Sequence, residues 1–199
     1  MSEEFPVVPA APVEAPATTG LQHPHMLRDL VETMVLIAVA FLVVNSLIGR
    51  FRIEQVSMEP NLHEGEYVIV DKVSYAFRQP ERGDIVVIKN PQPGQPDLIK
   101  RVIALPGESL EVRGGQVYIN GQALNEPYIQ PPMGREQPLT QLQASQFFVM
   151  GDNRSNSQDS RELGPRPASD IVGRAWIIYW PPPDWQILSH PTYAAPQTP

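Results

Sequence analysis

From Leu30 to Gly49 the chain reads LVETMVLIAVAFLVVNSLIG, an almost unbroken apolar run of about 20 residues. At a helical rise of about 1.5 Å per residue, that length matches one crossing of a bilayer's hydrocarbon. Its polar side chains Glu32, Asn45 and Ser46 sit near the ends, within reach of the interface. A cleaved signal peptide would have a shorter apolar region with a small-residue cleavage site behind it. Here a long tail precedes the run and no A-x-A follows. A helix buried in a protein core would show a polar stripe, and little of one is visible. The run is read as an uncleaved transmembrane anchor over residues 28–50. Arg28 precedes it and Arg50 and Arg52 follow, so flanking charge does not orient it.

Residues 1–27 are rich in Pro, Ala, Glu and Thr without a period of either kind, as expected of a disordered spacer. After Phe51 the pattern changes to short β-rich runs bounded by Pro, Gly and Asn: EYVIVDKVSY, GDIVVIKN, QFFVMGDN and IVGRAWIIYW. Gly114-Gly115 lies between two alternating segments, a strong two-residue hairpin signal, and Asn120-Gly121 marks a second turn. The stretch NEPYIQPPMGREQPLTQLQ, residues 125–143, has few periodic features and reads as a surface excursion. The 23 prolines argue against a helix bundle. A mostly β domain of antiparallel sheets is therefore expected over residues 51–185, behind one N-terminal transmembrane helix, with a C-terminal tail over 186–199. A net charge of −7 gives no basic face for nucleic acid, and the absence of cysteine rules out disulfides, thiolate metal sites and a cysteine nucleophile.

Three stretches could carry chemistry. In DLIKRVIALPGE, Lys100 and Arg101 interrupt a run that otherwise suits a buried strand. Neighbouring side chains alternate between faces, so one of the two cations is expected to face the interior. A buried lysine tends to shed its proton. The other two lysines, Lys72 and Lys89, end strands beside turn residues, where a charged head reaches water. In IEQVSMEPNLHEGEYVIV, Ser57 lies between Val56 and Met58 just ahead of Glu59-Pro60. A serine beside a desolvated amine can perform acyl transfer, the amine taking the hydroxyl proton as the oxygen attacks a carbonyl. In GDNRSNSQDSRELGP, Asp152, Arg154, Asp159, Arg161 and Glu162 alternate with Asn and Ser. Two arginines among the would-be oxygen ligands fit an ion-pair knot better than a calcium loop. Of the four histidines, only His63 is near Ser57 in sequence, and its turn setting argues against a Ser-His-Asp site.

Together these stretches resemble the characteristic boxes of the type I signal peptidases, membrane-anchored serine proteases that remove signal peptides from exported proteins. VSMEPNLHEGEYVIVDK resembles the nucleophile box, ERGDIVVIKNP the Arg-Gly-Asp strand and LIKRVIALPGE the lysine box. FFVMGDNRSNSQDSRELG resembles the Gly-Asp-Asn-Arg box and IVGRAWIIYWP the closing strand. The resemblance implies that Ser57 is the nucleophile and Lys100 the general base. It implies that Ser157 hydrogen-bonds and orients the lysine, and that Asp159 and Arg161 form a supporting ion pair. Arg101, on the opposite face, is expected to be structural and to meet a carboxylate such as Asp152. No metal or organic cofactor is required. The implied partners are signal-peptide-bearing preproteins and the lipid bilayer, the implied state a monomer. The implied location is the cell membrane, single-pass, with the catalytic domain on the extracytoplasmic side.

The chain departs from that family at two points. Gln55 and Val56 occupy the approach to Ser57, where many members have Ser or Gly two residues before the nucleophile. The Gln55 amide is a candidate oxyanion donor, since such donors include Gln. Asn61 stands where threonine is usual. Two other readings compete: a catalytically weak or silent anchored protein retaining the fold, and the self-cleaving repressor peptidases, which carry a DNA-binding helical module in place of the apolar span. In RAWIIYWPPPDW, alternating core and surface residues of a last strand are favoured over a membrane-interface belt. Trp185 is the expected membrane contact, with Met58 on the same surface.

Overall fold

The computed structural model of the chain describes residues 26–131, 134–188, 191 and 193. Nearly all of the expected N-terminal spacer and most of the expected C-terminal tail lie outside the described residues. The apolar run forms helix α1 (Met26–Leu47), whose 22 residues carry no buried side chain. Such a helix is about 33 Å long, enough to cross a bilayer. Its N-terminal charges pair with each other, Arg28 Nε donating to Glu32 at 2.7 Å one turn on.

The helix ends earlier than the expected boundary at residue 50. Ile48 to Arg50 instead open strand β1 (Ile48–Arg52), because this stretch finds a partner in β2 (Tyr67–Asp71) with Gly49 opposite Val70. A Cβ at Gly49 would stand 2.9 Å from Lys72 Cε, the far end of a flexible side chain, and 3.3 Å from Val70 Cβ. A single-turn helix α2 (Ser74–Phe77) follows where the sequence suggests continued strand, since the Asp71 carboxylate accepts from Val73 N and Ser74 N and turns the chain.

Ten further strands complete the domain. They are β3 (Ile85–Ile88), β4 (Leu98–Ala104), β5 (Ser109–Arg113), β6 (Gln116–Ile119), β7 (Gln122–Ala123), β8 (Gln137–Gln141), β9 (Gln146–Met150), β10 (Arg166–Pro167), β11 (Ile171–Trp180) and β12 (Gln186–Ile187). A one-turn helix α3 (Ser160–Leu163) lies between β9 and β10. All described pairings are antiparallel. The main sheet has the order β1-β2-β11-β3-β4-β9-β10, with β12 added to β11, and the second sheet has the order β7-β6-β5-β8. Both hairpin signals form as read. Gly114 and Gly115 join Arg113 to Gln116, and Asn120 and Gly121 join Ile119 to Gln122, all four at positive φ as a tight twisted turn demands.

The excursion over residues 125–143 is not wholly irregular. Its Gln137–Gln141 segment is β8, an edge strand on β5. An edge position tolerates Pro138, which has no N–H to offer a second neighbour.

Strand β4 decides where the site can be. It is paired with β3 on one side and β9 on the other, and all seven of its residues are buried. Ile99 packs into one apolar cluster with Ile53, Met58, Val68 and Ile178, while Leu98 and Val102 join Val86, Phe147 and Val149 in another. Ile103 and Ala104 enter a third cluster with Phe148 of β9 and with Leu110 and Val117 of the adjoining sheet. Alternation therefore exposes neither cation: Lys100 and Arg101 are both buried, where one was expected to be. Met58 is likewise fully buried and belongs to the core, not to an exposed apolar surface.

Gly173 of β11 tests this packing. A Cβ there would lie 2.5 Å from the Asp71 carbonyl oxygen and 2.8 Å from Val70 Cγ1. Because backbone cannot yield as a flexible side chain does, Gly173→Ala should cost about 1–3 kcal/mol. The check is a lowered denaturation midpoint in detergent.

Candidate active site

Ser57 owes its position to a short knot. Residues Val56–Met58 form one 3-10 turn, and Asn61 N and Leu62 N both donate to the Met58 carbonyl at 3.0 Å. Met58 and Leu62 sink into the core and hold that turn down. Ser57, between the two anchors and Val56, is 3% exposed and faces β4. Lys100 Nζ stands 2.8 Å from Ser57 Oγ and donates to the Ile99 carbonyl at 2.9 Å. With nothing of it exposed, the lysine loses the hydration that stabilises an ammonium. Burial therefore pulls its pKa from 10.5 to about 8, against the partial upward pull of the Asp159 and Asp152 carboxylates.

The residues after β9 frame this pair. Asn153 N donates to the Ser57 carbonyl at 3.0 Å and its side-chain amide to the Val56 carbonyl at 3.1 Å. A Cβ at Gly151 would collide with the Ser57 carbonyl oxygen at 2.4 Å and Ser157 Oγ at 2.3 Å, so only glycine lets the two segments meet. Asp159 caps α3, accepts Gly151 N at 3.0 Å and holds the Arg161 fork at 2.8 and 2.9 Å. Burial alone would raise the Asp159 carboxyl; the Arg161 guanidinium, the Gly151 N–H and the nearby Ser157 hydroxyl outweigh it and keep the group below its ordinary range. Arg101 meets Asp152 through two bonds of 2.8 and 2.6 Å, donates to the Gly83 carbonyl at 3.0 Å and lies flat against the Tyr128 ring, 4.1 Å from its centroid.

Two nominated residues make no hydrogen bond to the pair. Ser157 Oγ is buried but makes no hydrogen bond to Lys100; its influence falls on Asp159, at a geometry short of a hydrogen bond. Gln55 is exposed and extended, and its amide makes no hydrogen bond. It lines a cavity of about 190 Å³ with Arg50, Phe51, Arg52 and Glu54 on one side and Pro96–Ile99 on the other. That groove runs between the chain entering Ser57 and the chain entering Lys100.

The structure also adds Glu126, which sequence reasoning missed, and partners it did not foresee for Arg154, Asn61 and Asp84. Glu126 and Arg154 form a fully buried ion pair, and Arg154 Nε donates to the Gly151 carbonyl at 3.0 Å. Asn61 donates to both the Tyr128 carbonyl and Asp152 Oδ2 at 2.8 Å. Its presence in place of threonine was the only visible signal. Asp84, in the Arg-Gly-Asp stretch, is buried and gathers the Tyr75 hydroxyl, Arg78 and Arg174.

A desolvated amine against a hydroxyl, on an antiparallel β domain that follows a membrane-length helix, is the construction of a membrane-anchored serine endopeptidase. Comparison with known proteins narrows the class. Residues 27–180 match the family described as "Signal peptidase, peptidase S26", and the chain belongs to that family. It is 39% identical over 188 residues to a signal peptidase I of Leptolyngbya laminosa, covering 90% of this chain and 93% of the relative. It is 35% identical over 159 residues to a signal peptidase I of Bacillus amyloliquefaciens, covering 74% and 82%. A crystal structure of a signal peptidase I from Enterococcus faecalis aligns with 49% of this chain and 97% of its own, at 30% identity and a TM-score of 0.44.

The Glu126–Arg154 pair gives a stability test. Removing one partner strands the other charge away from water, so Glu126→Ala should cost about 3–5 kcal/mol. Adding Arg154→Met should recover much of that loss in detergent thermal melts.

Proposed function

We propose that the chain removes N-terminal signal peptides from exported preproteins, with Ser57 as nucleophile and Lys100 as general base. The observation that carries this reading is the 2.8 Å approach of a fully buried lysine to a buried serine hydroxyl. The extended signal-peptide end lies in the groove beside Gln55 and Ile99 as an added strand, its backbone hydrogen bonds supplying affinity. Small pockets there admit Ala-like side chains at the first and third positions before the cut.

In the first half-reaction the Ser57 proton passes to Lys100 Nζ as Oγ bonds to the scissile carbonyl carbon. The oxyanion takes hydrogen bonds from donors at the start of the Val56–Met58 turn. These are the Ser57 N–H, which has no partner within a helix that begins there, and the Gln55 amide after a change of rotamer. The C–N bond then breaks, Lys100 returns its proton to the departing amine, and the mature protein leaves. In the second half-reaction Lys100 takes a proton from water, the hydroxyl oxygen attacks the acyl-enzyme, and Ser57 is regenerated as the signal peptide leaves with a carboxylate. Asp152 and Arg101, with Asp159 and Arg161, act as positioning pairs whose desolvation offsets much of their attraction.

Helix α1 is the single-pass anchor, and the peptidase domain runs from β1 through β12 to Leu188, past the expected boundary at residue 185, because β12 pairs with β11 and Leu188 packs in the core. The peptidase domain lies on the extracytoplasmic side, where translocated preproteins expose their cleavage sites. Ser57 and Lys100 come from one chain, which supports a monomer as the working unit.

Ser57→Ala should abolish cleavage of an A-x-A precursor in detergent; processing at the parental rate would refute the assignment. Lys100→Arg should be equally inactive, because an arginine stays protonated. The acting form of Lys100 is the neutral amine, and its pKa is depressed from 10.5 to about 8. Cleavage should therefore rise with pH to a plateau above about 8, falling about tenfold per pH unit well below it. Between those two pKa values the unfolded chain binds a proton that the native chain lacks, so Lys100 makes stability increase with pH across that window. Lys100→Met should flatten that slope in denaturation measured from pH 8 to 10.5.

A further inference from the structure

Beyond the final paired strand, Leu188 and Tyr193 each contact the folded domain. Leu188 is buried in the core, its N–H donating to the Trp176 carbonyl at 2.8 Å. Five residues on, the Tyr193 hydroxyl donates to the Tyr128 hydroxyl at 3.0 Å. The Arg82 guanidinium lies 6.0 Å from the Tyr193 ring centre, itself held by the Ile103 carbonyl and Glu108 at 2.5 Å each.

Tyr128 is the point where several lines to the site meet. Its ring covers the Arg101 guanidinium and its carbonyl accepts from Asn61, which also bonds Asp152. Its hydroxyl donates to Glu126 at 2.7 Å, Glu126 pairs with Arg154, and Arg154 reaches the Gly151 carbonyl. Gly151 is the residue against which the Ser57 carbonyl packs. Arg101 adjoins Lys100 on β4, and Asn61 N donates to the Met58 carbonyl beside Ser57. Tyr193 thus heads a chain of donors, Tyr193 to Tyr128 to Glu126, in which each bond polarises the next.

We infer that Tyr193 is a C-terminal strap that positions the Ser57–Lys100 pair by holding Tyr128 against Arg101 and Glu126. Tyr193 is a positioning residue: it touches neither member of the pair and is absent from the residues lining the groove beside Gln55. Loosening Tyr128 frees the Arg101–Asp152 fork on one side and the Gly151 backbone on the other. Both changes widen the Ser57–Lys100 approach and admit water to the amine. Water restores the ammonium's hydration, so the strap's loss moves the working proton affinity of Lys100 upward. Substrate binding in the groove is left alone.

The inference rests on the Ser57–Lys100 reading, and the test separates the two. Full-length Tyr193→Phe, a chain ending at Pro191, and Ser57→Ala are assayed beside the parent in detergent with one A-x-A precursor. Tyr193→Phe should lower kcat about three- to tenfold, the scale of one neutral hydrogen bond. KM should stay within about twofold, because the lost contact binds no substrate. The rising limb of kcat against pH should shift to higher pH, with the melting temperature close to the parent's. The shortened chain should show the same shift, larger; if it fails to fold, Tyr193→Phe alone decides. A phenol on the second sheet, Tyr118→Phe, should leave kcat and the limb at parental values. Parental kcat and an unmoved limb in Tyr193→Phe would overturn the strap while Ser57→Ala stays inactive. Cleavage by Ser57→Ala would instead bring down the nucleophile assignment itself.

Discussion

A lysine at the middle of a strand buried on both faces is the costliest placement in this domain, and much of the structure around it answers that cost. Among the described residues, Lys100 keeps only two hydrogen-bond contacts, the Ser57 hydroxyl and the Ile99 carbonyl. Desolvation lowers its proton affinity enough for a neutral amine to be populated near pH 8. The same amine on an exposed strand would be an ordinary ammonium and could not take a hydroxyl proton. In the proposed mechanism burial is therefore the source of the chemistry as well as its expense. It requires β4 to sit between β3 and β9 with apolar clusters against both faces.

The charged groups nearby set geometry more than stability. Three buried pairs, Arg101–Asp152, Glu126–Arg154 and Asp159–Arg161, converge on the residues from Gly151 to Arg161. Each gives up most of its attraction to desolvation, but each also fixes a backbone group by direct hydrogen bonds: the Gly83 carbonyl, the Gly151 carbonyl and the Gly151 N–H. A catalytic pair that functions over a few tenths of an ångström benefits from that stiffness. Long-range contacts supply it, since Asn61 and Asp152 are far apart in the chain and 2.8 Å apart in space.

The sequence and the structure agree most closely where the physics is local. The apolar run of α1, the Gly114-Gly115 and Asn120-Gly121 turns, and β11 all follow from composition or backbone preference within a few residues. They diverge where a partner decides. Strand β8 carries a proline and polar residues, so its pattern is silent until β5 provides the ladder. Ile48 would continue a membrane helix if β2 did not claim it. Glu126 and Tyr128 sit in a stretch with no period at all, yet one neutralises a buried arginine and the other lies flat on one.

By itself, then, the sequence determined an anchoring helix, a β-rich domain and a short roster of residues able to do acyl transfer, with Ser57 and Lys100 at its head. The helix and the β-rich domain need only hydrophobic length and turn chemistry; the roster rests on the oddity of a cation inside an apolar strand together with the resemblance to the signal peptidase boxes. Tertiary structure alone decided that both β4 cations are buried, that Arg101 is held between Asp152 and Tyr128, and that Ser157 makes no hydrogen bond to the lysine. The reason is physical: the proton affinity of an amine and the partner of a charge depend on what distant segments bring within a few ångströms, and no local pattern encodes that distance.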